Sequence, residues 1–182
     1  MYKMNLQLPK GYKRAVLVFD GAMSQPVVSV NGKEAGRWAY GYNAFRIDIT
    51  PYVKFGGKKN LVEVHLNNVE ESSRWYPGGG LYRPVSVELY GNENFSTWDT
   101  FVRTLKADKQ EAEVEVNALL EGKIGKSGKT VIALLDEAGT KVAEQTISGA
   151  APAIKTTLKV ANPQLWSPES PYLYQVKLTR YE

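Results

Sequence analysis

Hydrophobicity along this chain repeats every second residue, and no stretch sustains a helical repeat. Between residues 111 and 118, Ala112, Val114, Val116 and Ala118 alternate with Glu111, Glu113, Glu115 and Asn117. Val62, Val64 and Leu66 alternate in the same way with Glu63, His65 and Asn67, and Tyr2, Met4, Leu6 and Leu8 with Lys3, Asn5 and Gln7. Successive side chains of an extended strand point to opposite faces, so this pattern builds antiparallel sheets with one face buried and one wet. The N-terminal stretch therefore predicts a half-buried strand. Residues 15–19 and 131–135 are continuous apolar runs, as in strands covered on both faces. Asn31-Gly32 is a hairpin signal, because both residues tolerate left-handed backbone angles. Ile154, Thr156, Leu158 and Val160 form one further face, and Tyr172, Tyr174, Val176 and Leu178 another. Short strands separated by turns predict an all-β protein.

The pattern breaks at the polar cluster Gly91-Asn92-Glu93-Asn94 and then resumes, which divides the chain into residues 1–92 and 95–182. A length of 182 residues with 43% hydrophobic content supports packed cores. The absence of cysteine excludes a disulfide framework and a thiolate nucleophile. The net charge of +4 is mild and the lysines are scattered, apart from the solvated run Lys54-Phe55-Gly56-Gly57-Lys58-Lys59, so no nucleic-acid partner is expected. No apolar run approaches the length of a membrane span, and no membrane partner is expected. Nothing in the sequence assigns a compartment.

One segment is built unlike the rest. Ser72-Ser73-Arg74-Trp75-Tyr76-Pro77-Gly78-Gly79-Gly80-Leu81-Tyr82-Arg83-Pro84 runs from an arginine and two aromatics into three glycines, then into the strand-like Val85-Ser86-Val87-Glu88-Leu89. The glycines permit a tight reversal, so Arg74, Trp75 and Tyr76 stand on a shaped turn. A guanidinium offers a planar fork of donors and the rings offer stacking faces. Such a set suits a sugar, a phosphate or a carboxylate.

This segment resembles the loop and strand that close the N-terminal sugar-binding domain of glycoside hydrolase family 2, which holds β-galactosidases, β-glucuronidases and β-mannosidases. Further segments resemble the family in its own order: Val16-Leu17-Val18-Phe19-Asp20-Gly21-Ala22, the hairpin Val28-Ser29-Val30-Asn31-Gly32-Lys33-Glu34-Ala35-Gly36, and Gly41-Tyr42-Asn43-Ala44-Phe45-Arg46-Ile47-Asp48-Ile49-Thr50. Pro163-Gln164-Leu165-Trp166-Ser167-Pro168-Glu169-Ser170-Pro171-Tyr172-Leu173-Tyr174 resembles the end of the next, immunoglobulin-like domain. The resemblance implies a galactose-binding-like jelly roll over residues 1–92 and an immunoglobulin-like sandwich over 95–182. The first has about six recognisable strands where a jelly roll has about eight, so it is expected to be truncated at its N-terminus. The catalytic barrel of the family is not recognisable in this sequence, and the chain is expected to be a fragment of a β-galactosidase-like enzyme.

The resemblance implies that both catalytic glutamates belong to that barrel, so no catalytic residue is assigned here, nor any cofactor. Glycoside hydrolysis needs two carboxyl groups across the scissile bond. Glu70 and Glu71 are adjacent and diverge in extended chain, while Asp20 and Asp48 occupy turn and strand positions. His65 is the only histidine, which excludes a histidine-rich metal site; it falls on the polar phase of its strand and is expected to be exposed. The site residues implied by the resemblance are Arg74, Trp75 and Tyr76, with a carbohydrate as partner in the full-length enzyme. Arg74 has two readings, a sugar contact or an ion pair with Glu70 or Glu71. Trp38, Tyr40 and Tyr42, spaced by two, read as core or domain interface, or else as a stacking platform. Trp166 and Tyr172 read as packing at the domain end, and Arg83 as structural. A free-standing carbohydrate-binding module and a structural β protein are the rival functions. An uncovered sheet edge in the first sandwich predicts self-association of the fragment.

Overall fold

The computed structural model describes residues 1–69, 71, 74, 75 and 78–181. The chain is all-β, as the alternation requires, and divides into two compact units, Met1–Asn92 and Glu93–Glu182.

The first unit has seven strands among the described residues, one more than the sequence suggested: β1 (Tyr2–Gln7), β2 (Arg14–Phe19), β3 (Val27–Val30), β4 (Lys33–Arg37), β5 (Phe45–Asp48), β6 (Lys59–His65) and β7 (Val85–Tyr90). They form two antiparallel sheets, in the orders β1-β6-β3-β4 and β5-β2-β7. The inward phases of both sheets meet in one core, where Val28, Val30, Val62 and Val64 lie against Leu17, Phe19, Phe45 and Ile47. The β3–β4 turn is Asn31-Gly32 with φ of 52° and 77°, the left-handed pair a two-residue hairpin needs. Central β2 is covered on both faces, and on its outer side Arg46 pairs with Glu88 beside Arg14 and Asp48.

Strand β1 is antiparallel to β6, as expected, but it is not half-buried. Tyr2 and Met4 stand opposite the buried Val64 and Val62, yet are 46% and 56% exposed. The reason is position: β1 is the edge of a four-stranded sheet that packs on a three-stranded one.

The second unit also has seven strands among the described residues: β8 (Glu93–Phe95), β9 (Phe101–Ala107), β10 (Glu111–Gly122), β11 (Lys129–Leu135), β12 (Lys141–Ser148), β13 (Ala153–Ala161) and β14 (Gln175–Tyr181). Long β10 pairs with β13 along one side, and with β9 and then β8 along the other. The facing sheet has the order β12-β11-β14. Val116, Leu120, Ile154 and Leu158 close the core against Ile132 and Leu134.

Three features depart from the sequence reading. The polar cluster before residue 95 is not simply a turn, because Glu93 begins β8 and its buried carboxylate pairs with the buried Arg180 guanidinium of β14 at 3.2 Å. That guanidinium also donates to the Gly149 and Gly125 carbonyls, so both charges are satisfied away from water. Tyr172 and Tyr174 precede β14 instead of belonging to it. Their hydroxyls accept from the Glu137 and Gln164 amides, which fixes the proline-rich segment. Trp166, expected to be packed, is 59% exposed.

Candidate functional site

The glycine segment is anchored at its C-terminal end. Gly80, at φ +146°, exchanges two backbone hydrogen bonds of 3.0 Å with Met23, in the turn that follows β2. Tyr82 then crosses to the other motif segments and donates its hydroxyl to the Gly41 carbonyl at 2.8 Å. This approach demands small neighbours. A Cβ on Gly21 would lie 2.6 Å from the Tyr82 hydroxyl, and one on Gly41 would lie 2.5 Å from Met23 Sδ. The Gly21-Ala22, Gly41-Tyr42 and Gly80-Leu81-Tyr82 signatures therefore describe one packed junction. Arg83 lies over the Tyr82 ring and donates to the Asp20 carbonyl at 3.5 Å, the structural role expected of it.

On this base the loop carries Trp75 outward. Its indole N–H donates to the Tyr42 hydroxyl at 2.6 Å, and the two rings are tilted with centroids 6.3 Å apart. Tyr42 in turn lies 5.6 Å from Tyr40. The result is a cluster of three exposed aromatic rings, with Trp75 59% exposed although its ring nitrogen is bound. Trp38 differs, because its ring stacks on core Phe45 and its N–H is held by Asn43. Within this unit Tyr40 and Tyr42 are thus exposed, while Trp38 lies at the edge of the core.

Arg74 is exposed, and among the described residues no ion pair joins it to Glu71. Glu70 and Tyr76 lie outside the described residues. The structure brings Trp75 to Tyr42, a partner that spacing alone did not reveal, because the contact joins segments 33 residues apart. His65 is exposed, as expected, and lines a cavity of about 700 Å³ beside the aromatic cluster together with Trp38 and Tyr40. Of the carboxylates considered, Asp48 caps the Thr50 amide at 2.8 Å and lies 3.5 Å from Arg14. Among the described residues no group of three or more histidine or acidic side chains is arranged to hold a metal ion.

The family model for glycosyl hydrolases family 2 matches residues 95–181. A protein of Formosa agariphila is 36% identical over 168 residues, which is 91% of this chain and 16% of its own. The β-galactosidase BoGH2A of Bacteroides ovatus is 36% identical over 164 residues, covering 86% of this chain and 19% of that enzyme. Among solved structures, a glycosyl hydrolase family 2 member from Bacteroides cellulosilyticus superposes with a TM-score of 0.84 at 33% identity, over 99% of this chain and 26% of that one. The chain thus spans about a fifth of the length of the curated relatives it matches. The chain belongs to glycosyl hydrolase family 2.

Proposed function

We propose that this chain is the non-catalytic N-terminal part of a β-galactosidase-like glycoside hydrolase, in which it braces the catalytic barrel and shapes one wall of its carbohydrate pocket. The first unit is read as a galactose-binding-like jelly roll and the second, with its four strands facing three, as an immunoglobulin-like sandwich. The observation that carries the proposal is the anchored loop: Gly80 is tied to Met23, and Trp75 is presented outward while locked to Tyr42. A preorganised aromatic beside an exposed guanidinium fits a sugar's C–H face and hydroxyls. Arg74, Trp75 and Tyr76 are the proposed contacts.

In the full-length enzyme, Arg74→Ala should lower kcat/KM about tenfold or more, as for loss of one charged hydrogen bond to the transition state. Its thermal unfolding should be unchanged, since the side chain is exposed. Wild-type kinetics for that variant would leave the arginine without a role in the reaction. The 182-residue chain alone should not turn over nitrophenyl β-glycosides. Turnover lost on replacing one of its own residues would overturn the non-catalytic assignment.

A further inference from the structure

Asn31-Gly32 is the one Asn-Gly step in the chain. Such a step is chemically labile, because the glycine nitrogen has no neighbouring side chain to hinder its attack on the asparagine amide carbon. The turn is also open: a Cβ on Gly32 would meet nothing within 4 Å. Yet the Asn31 side chain is bound at each of its polar atoms. Its Nδ2 donates to the Tyr52 carbonyl at 2.8 Å and to Asn60 Oδ1 at 3.0 Å, which uses both of its hydrogens. Its Oδ1 accepts from the Leu61 amide at 3.0 Å, and its own amide donates to the Leu61 carbonyl at 2.8 Å.

We propose that Asn31 is a gated deamidation site, held unreactive by this clamp and modified irreversibly when the β3–β4 turn opens. In the reaction the Gly32 nitrogen bonds to Asn31 Cγ and the Cγ–Nδ2 bond breaks. Nδ2 leaves as ammonia, carrying the proton that the Gly32 nitrogen loses. Water then opens the succinimide at either of its carbonyls and gives aspartate or isoaspartate. Ring closure needs Cγ folded back onto the Gly32 nitrogen. The bonds that tie the side chain to residues 52, 60 and 61 must therefore break first.

The clamp cannot receive the product. A carboxylate only accepts, and one of its oxygens would face the Tyr52 carbonyl and Asn60 Oδ1, which are acceptors too. Asn60 is not free to turn its amide round. Its Oδ1 also holds the Lys54 amide, and its Nδ2 donates to the Lys54 and Lys58 carbonyls. Isoaspartate adds a main-chain carbon to the two-residue turn that sets the register of β4, an edge strand. Deamidation thus turns a passing opening of the hairpin into a lasting one.

The test is peptide mass spectrometry of the 182-residue chain incubated in mildly alkaline buffer, native and unfolded in urea. The exchange of ammonia for water at Asn31 should be at least about tenfold slower in the native chain, because reaction waits for a local opening. A smaller difference would overturn the clamp. Asn60→Ala removes one partner of Nδ2 and should raise the native rate severalfold. Leu17→Ala, a core truncation in β2, serves as the control for general loss of stability. An increase in Asn60→Ala no larger than that in Leu17→Ala would mean that the reaction waits for unfolding of the whole unit, and would overturn the local gate. Asn31→Asp reaches the product without the reaction, and so does not depend on how either variant folds. It should lower the urea midpoint and speed hydrogen exchange severalfold in β4 and residues 54–58, with the second unit unchanged. Wild-type exchange in those segments would overturn the one-way step.

Discussion

Asn60 is fully buried, and its amide carries the conformation of the loop before β6. Its Oδ1 accepts from the Lys54 amide at 2.7 Å and from Asn31 Nδ2 at 3.0 Å, while its Nδ2 donates to the Lys54 and Lys58 carbonyls. Truncation would leave several backbone groups unpaired where water does not reach. Asn60→Ala should therefore destabilise the chain by about 2–3 kcal/mol, read from urea denaturation. An unchanged midpoint would mean that other contacts hold residues 54–58. The residue was only half legible. Asn60 shares the inward phase of Val62 and Val64, but a polar side chain there reads as the end of a strand, and its partner Asn31 is 29 residues away. Buried Glu93 hides in the same way, since a charge reads as surface until its counterion, 87 residues on, is seen. Arg74 and Trp75 were legible as a shaped pair, whereas the bond from Trp75 to Tyr42 exists only once both segments are packed.

The outer face of the β9-β10-β13 sheet is a ladder of cross-strand ion pairs. Glu113 meets Lys159 at 2.8 Å, and Glu115 lies between Arg103 at 3.0 Å and Lys155 at 3.1 Å. The Lys159 hydrogen bond holds the Glu113 carboxyl below its ordinary range, and bonds from Asn117 and Lys155 do the same for Glu115. Asp108 is lowered by accepting the Glu111 and Gln110 amides in the β9–β10 turn. A carboxyl lowered in the folded state contributes stability above its unfolded value, near pH 4, and loses it as pH falls through the folded value. Lys106 and Lys159 are raised by Asp108 and Glu113, so their contribution holds below about pH 10.4 and is lost as pH rises through the folded values. Stability of the second unit should therefore decline from about pH 5 downward, and Glu113→Gln with Glu115→Gln should flatten that decline. Denaturation midpoints at neutral and acid pH check this, and an identical acid dependence in the double variant would contradict it. At this scale the alternation located strands well, because burial of one face imposes it. Pairing order was not visible, since β6 inserting between β1 and β3 is decided by long-range packing.

Across the whole molecule, exposure of β1 has a chemical consequence. Among the described residues no strand pairs with its outer edge, which leaves backbone N–H and C=O groups there for another chain, and Tyr2 and Met4 present apolar surface on the core-facing side. The chain should associate as its concentration rises, by light scattering, and Met4→Lys should shift it toward monomer. A strictly monomeric wild-type chain at high concentration would refute this. The second unit is closed differently. Its first strand holds Glu93 and its last holds Arg180, and the two side chains clasp at 3.2 Å, so the beginning and end of the unit lie side by side. Adjacent ends are what circular permutation and domain insertion require. This half of the chain is accordingly a cassette: it could be spliced into a surface loop of a host protein, or reopened at the Asp136–Thr140 turn, provided that the glutamate and the arginine travel together. Excision that keeps only one of them would strand a buried charge and forfeit the fold.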